Sequence, residues 1–230
     1  MATKQYLLEV CAGTVEAVRA AHEGGAQRVE LCSALSEDGL TPSMGMIRYA
    51  CRCEGLQVHV LIRPREGDFV YSEAEVECML ADIRLCREMG VDGVVIGALT
   101  ADGDIDVPVC QRLVDKARGM NITFHRAFDV CRHPFEALEQ IVALGCNRLL
   151  TSGQAATAEQ GIPLLRELVQ RAGTRLTIMP GAGVSPENAA RLLTETGATE
   201  LHASARRVLP SGRKETDAAV VRQILARIQP

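Results

Sequence analysis

Short apolar runs alternate with stretches of helical spacing along the whole chain. Residues 6–11 form a compact apolar run, the mark of a strand covered on both faces. Residues 14–23 follow with apolar positions at helical intervals. The alternation then repeats without a break. Strands are predicted over 28–32, 58–64, 93–99, 121–128, 148–152, 175–179 and 200–204. Helices are predicted over 41–53, 72–89, 107–118, 134–144, 157–171, 185–194 and 215–228. Local signals support the starts: Pro42 and Pro186 suit early helical positions, and Ser72-Glu73-Ala74-Glu75 reads as a capping box.

A weak internal repeat accompanies the count of eight strands and eight helices. Four times a helix ends in glycine plus a small apolar residue and drops into a strand: Gly25-Ala26, Gly90-Val91, Gly145-Cys146 and Gly197-Ala198. These stand ahead of strands two, four, six and eight, which fits a doubled βα unit with left-handed glycine caps. Strict βα alternation implies parallel strands with right-handed crossovers. Eight units predict an α/β fold of the (β/α)8 TIM-barrel type, with an open doubly wound sheet as the alternative. Nothing in the composition divides the chain, so residues 1–230 read as a single domain.

Polar residues interrupt the apolar strands with a period of two. Glu9 and Cys11, Glu30 and Cys32, His59 and Arg63, His125, Ser152, and Glu200, His202 and Ser204 share one face near the strand ends. The alternate positions, such as Val10, Leu31, Val60, Ile62, Phe124, Ile178 and Leu201, are apolar and suit packing beneath helices. In a barrel this parity gathers the polar side chains at the mouth, where active sites of this fold lie.

Composition narrows the function. A net charge of −4 gives no reason to expect nucleic acid, and 3% aromatic residues without tryptophan make a base-stacking platform improbable. No apolar run is long enough to span a membrane, and the N-terminus lacks a signal-peptide pattern, so a cytoplasmic location is expected. Nine cysteines in a chain with these features argue against a disulfide framework; most read as small buried hydrophobes. Cys51 and Cys53 would point to nearly opposite sides of a helix, so they make a chelate only if the helix has already ended.

The three lysines, Lys4, Lys116 and Lys214, stand away from predicted strand ends, which disfavours a Schiff-base aldolase. The turn Gly181-Ala182-Gly183 after strand seven, with Ser204 and Arg206 after strand eight, suits an anion; a plain tight turn is the bland alternative. His125 ends strand five with Asp129 four residues on, a pair fit for proton transfer or metal binding if the histidine is not simply structural. Arg63 can clamp an anionic substrate or pair with local carboxylates. Cys11 and Cys32, each the end of a Glu-x-Cys strand, fall within reach of one soft ion such as Cu(I) if strands one and two are neighbours, or are two buried thiols.

The combination of Glu9-Val10-Cys11, Glu30-Leu31-Cys32-Ser33 running to Glu37, Thr41-Pro42-Ser43, Ile62-Arg63-Pro64-Arg65, Gly67-Asp68-Phe69, Gly97-Ala98-Leu99-Thr100, Thr123-Phe124-His125-Arg126-Ala127-Phe128-Asp129, Leu150-Thr151-Ser152-Gly153 and Gly197-Ala198-Thr199 resembles the CutC family of copper homeostasis proteins. The resemblance runs through practically the whole chain. It implies a TIM barrel, a cytoplasmic homo-oligomer, and copper, as Cu(I), bound by Cys11 and Cys32. Two positions depart from the family pattern, Asp38 and Ala182, where glycines are common. Two functions remain. One is copper binding through Cys11 and Cys32, with Glu9, Glu30 and His125 around them. The other is an enzyme acting on a small phosphorylated or carboxylated metabolite, with His125, Asp129, Glu30 and Glu9 as catalytic groups and Arg63, Ser152, Gly181, Gly183, His202, Ser204 and Arg206 holding the substrate.

Overall fold

The computed structural model describes residues 6–210 and 212–229; the N-terminal stretch 1–5 lies outside them. Eight parallel strands run in chain order: β1 (Leu7–Ala12), β2 (Arg28–Leu31), β3 (Gln57–Leu61), β4 (Gly93–Ile96), β5 (Asn121–Phe124), β6 (Arg148–Thr151), β7 (Thr177–Pro180) and β8 (Glu200–Ala203). They pair in the order β7-β6-β5-β4-β3-β2-β1-β8. Because β1 is bonded to both β2 and β8, the sheet curls into a nearly closed barrel rather than an open doubly wound sheet. The β7–β8 seam is packed by side chains: a Cβ on Gly181 would lie 2.5 Å from Leu150 Cδ1 and 3.4 Å from His202 Cβ.

Helices α1 (Val15–Gly24), α2 (Met44–Ala50), α3 (Glu73–Glu88), α4 (Val107–Lys116), α5 (Pro134–Ala143), α6 (Ile162–Ala172), α7 (Ala189–Thr196) and α8 (Ala218–Ile228) follow the barrel strands in turn. The capping box forms at Ser72 and Glu75. The four repeat glycines all take left-handed φ, as helix-ending glycines should. All nine cysteines are free thiols, and Cys86, Cys110, Cys131 and Cys146 are buried.

Departures from the sequence pattern lie in the loops above the strand ends. Strand five stops at Phe124, and residues Arg126–Val130 form a 3-10 turn capped by His125. Helix α2 starts at Met44, after Ser43 caps it, because Thr41 is held by the Arg63 carbonyl instead. Helix α6 starts at Ile162, where Pro163 sits in the first turn, and the preceding loop packs Gly161 against the Ser152 carbonyl too closely for any side chain. A short antiparallel hairpin, β9 (Arg206–Val208) and β10 (Lys214–Thr216), occupies the loop before α8.

Apolar alternate positions face the helices as expected: Val10, Leu31, Val60, Ile62, Phe124 and Leu201 are fully buried. Their burial contributes roughly 1.5–3 kcal/mol per large side chain. The barrel interior is different. Arg28, 1% exposed, puts Nε 2.5 Å from Glu9 Oε2 and bonds Glu200 through Nη2. Arg148 Nε lies 3.0 Å from Glu200 Oε2. Arg28 and Arg148 were missed in the sequence because a charge at a strand's first position is ordinarily solvated; each shares the parity of the inward residues. Two buried histidines also point inward, His59 where Gly93 leaves room and His125 where Gly97 does.

Two outcomes test this interior. Arg28→Ala removes the buried cation between Glu9 and Glu200 and should cost about 3–5 kcal/mol in urea unfolding. Arg175→Ala, which removes an exposed pair with Glu139, should cost far less, because solvent screens that pair; equal losses would contradict the assignment. Burial lowers the pKa of His59 to about 3. The unfolded chain therefore binds the proton first as pH falls, and stability is lost from about pH 6.5 downward. Unfolding measured at pH 7 and pH 5 should show His59→Asn losing about 2 kcal/mol less than the parent over that interval. Parallel pH profiles would contradict a neutral buried His59.

Candidate functional site

Strand register builds the site. Glu9 on β1 stands opposite His202 on β8, and Cys11 on β1 stands opposite Glu30 on β2. His202 Nδ1 lies 2.7 Å from Glu9 Oε1, and its Nε2 lies 3.7 Å from Glu30 Oε2. Cys32, two residues beyond Glu30, brings its Sγ within 3.6 Å of Cys11 Sγ. The two thiols sit in a small apolar cluster with Leu61, Val95 and Leu35. Cys11, Glu30 and His202 each offer a ligand atom within 4.8 Å of the others.

Charge alternates through this layer. Arg148, Glu200, Arg28, Glu9, His202 and Glu30 follow one another as cation and anion across the barrel. Burial alone would raise the Glu9 pKa, yet the Arg28 charge and the His202 hydrogen bond hold it well below the usual carboxylate range. Burial would lower His202, but its bond to Cys11 and the carboxylates Glu30 and Glu9 raise it well above the ordinary histidine value. His202 is therefore an imidazolium donating Nδ1–H to Glu9. Burial raises Glu30. The hydrogen bond with Cys32, then burial, raises Cys11, so its thiol stays protonated.

Above this layer opens a cavity of about 330 Å³. Among the residues expected from sequence, Cys11, Glu30, Arg63, His125, Asp129, Gly183, His202, Ser204 and Arg206 line it. Glu9 lies beneath it and Cys32 behind Cys11, both fully buried. Ser152 does not reach it, because its hydroxyl donates to the Ala155 carbonyl at 2.6 Å. Gly181 is not in the lining; it continues the β6–β7 ladder, its N–H bonded to Thr151 O.

Two expected pairings are replaced by others. Asp129 does not orient His125. It accepts from Thr151 Oγ1 at 2.5 Å, from the Ser152 and Gln154 amides, and from Arg126 Nε at 2.7 Å. His125 Nδ1 instead accepts from the Ala127 amide at 3.1 Å. Arg63 spends Nη1 on the Glu37 and Gly39 carbonyls and Nη2 on Gly67, clamping loops rather than presenting a free fork. The sequence reading also missed Arg126, Asp38 and Phe69 in the lining. Arg126 and Phe69 stood inside quoted motifs, but loop residues carry no parity to mark which way they face. Ala182 adopts φ 74°, which costs an alanine on the order of 1–2 kcal/mol where a glycine pays nothing.

The CutC family model matches residues 6–207. A CutC family protein of Bacteroides fragilis is 54% identical over 218 residues, covering 94% of this chain and 87% of its own. The human protein named copper homeostasis protein cutC homolog is 47% identical over 219 residues, covering 95% of this chain and 80% of its own. A solved structure of CutC from Streptococcus agalactiae superposes with a TM-score of 0.83 at 35% identity, covering 87% of this chain and 99% of that one. A thiamine phosphate pyrophosphorylase from Pyrococcus furiosus, at 16% identity and a TM-score of 0.64, shares the fold alone. With both the barrel and the sequence matched across nearly their full lengths, the chain belongs to the CutC family.

Proposed function

We propose that this protein serves copper homeostasis by binding Cu(I) through Cys11 and Cys32 at the floor of the barrel mouth. One observation carries the reading: the two sulfurs lie 3.6 Å apart and pack against Leu35, Leu61 and Val95. Soft thiolates favour Cu(I), whereas zinc ordinarily takes four ligands. The names of relatives supply the physiological setting, copper homeostasis.

The donor set fits the ion. His202 is protonated on both nitrogens and offers no lone pair while Glu9 and Glu30 hold it so. That favours the two thiols over the Cys11–Glu30–His202 triad. The Glu30 carboxylate beside Cys11 favours a cation at the thiols and offsets the neighbouring His202 imidazolium. Binding displaces the Cys11 proton, since the thiolate is the ligand. When bound, copper would be the protein's cargo, held and shielded from solvent by Cys11, Cys32 and the Leu35–Leu61 wall.

Competition titration of Cu(I) against a chelator tests the donor set. The Cys11→Ser/Cys32→Ser protein should lose on the order of 100-fold in affinity, about 2.8 kcal/mol. His202→Gln should stay within about tenfold of the parent. Parent-like affinity in the double variant would overturn the thiol assignment, and a His202→Gln loss as large as the double variant's would shift it to the triad.

A further inference from the structure

The cavity is larger than an ion requires and lies at the lower end of small-ligand sites, which begin near 300 Å³. Two of its walls carry hydrogen-bond donors that the protein leaves unused. On the β5 side, His125 is 4% exposed and its Nδ1 accepts from the Ala127 amide, so the ring proton resides on Nε2. Nε2 is buried and has no partner among the described residues. A buried donor of this kind calls for an acceptor from water or ligand.

On the β7–β8 side, Gly183, Ser204 and Arg206 line the same cavity. Their groups differ in kind: the Gly183 and Ser204 amides, the Ser204 hydroxyl and the Arg206 guanidinium. Among the described residues none of these is engaged by a protein acceptor. Arg126 adds a second guanidinium to the lining, bound to Asp129 through Nε and free at its other two nitrogens.

We propose that this cavity binds a small phosphorylated metabolite, its phosphate at Gly183, Ser204 and Arg206 and an oxygen of its body accepting from His125 Nε2–H. Several donors from separate elements suit the three free oxygens of a phosphate monoester better than the planar pair of a carboxylate. The position agrees with where barrels of this class place phosphate, in the loops after strands seven and eight. Burial, with the Arg63 charge, lowers the His125 pKa to about 3, so the ring serves as a neutral donor rather than a base. The cavity volume restricts the body of the ligand to a few carbons beyond the phosphate. This binding is additional to the thiol pair and needs no metal.

Calorimetric titration of metal-free protein with inorganic phosphate and with glycerol 3-phosphate tests it. Both probes should bind the parent, the ester more tightly. Arg206→Gln and Ser204→Ala should each weaken both probes, by about tenfold for the arginine. His125→Leu should weaken the ester alone, leaving inorganic phosphate unchanged. His125 also caps a turn, so where that variant fails to fold the two rim variants decide the matter. No binding of either probe at millimolar concentration overturns the proposal, as does parent-like binding by both rim variants. Equal binding of lactate overturns the choice of phosphate. Arg206→Gln should keep parental Cu(I) affinity, so failure here leaves the copper reading intact, and failure of the copper reading leaves this one intact.

Discussion

Arg28 stands inside the barrel with one carboxylate on either side, Glu9 and Glu200, and almost no contact with water. Removing three charges from solvent is expensive, and the arrangement holds only because each charge meets an opposite one at hydrogen-bond distance. The layer determines what lies above it. Glu9 stays ionised because Arg28 is beside it, and the bond to Cys11, the Glu30 carboxylate and the ionised Glu9 together keep His202 protonated, its ring held between Glu9 and Glu30. An apolar replacement of the layer would pack the barrel as well or better, but would leave His202 without its anchor. The cost is consistent with a site that needs a fixed electrostatic floor.

The parity of the strands made much of this legible in the sequence. Glu9, Cys11, Glu30 and His202 fall on one face because strands alternate with period two, and the barrel brings that face together. The pairing of β1 with β8 is what sequence order alone does not display, and it is that pairing which sets Glu9 against His202. Arg28 and Arg148 share the inward parity, but a charge at the base of a strand normally signals solvent. The barrel's layered interior reverses that meaning. Loop residues were the harder part. Asp129 lies four residues from His125 and looked like its partner, yet the 3-10 turn that follows β5 swings the carboxylate to Thr151 and the Ser152 amide. Spacing gives distance along the chain, and only the turn gives direction.

The two functional readings occupy different depths of one mouth. The thiols form the floor, walled by Leu35, Leu61 and Val95. The unused donors of His125, Gly183, Ser204 and Arg206 form the walls above. Five non-glycine residues with left-handed φ, at Ala34, Asp38, Gln154, Ala182 and Ala205, all lie in loops at the C-terminal ends of strands. Such strain gathers where loop shape is fixed for function.

The charge state of His202 joins the buried layer to the copper site, and nitrogen-15 NMR of the imidazole side chains in metal-free protein reads it directly. At neutral pH His202 should have both nitrogens protonated, while His59 and His125 should each show one protonated and one unprotonated nitrogen. A neutral His202 under those conditions would contradict the alternation of charge from Arg148 through Arg28 and Glu9 to Glu30.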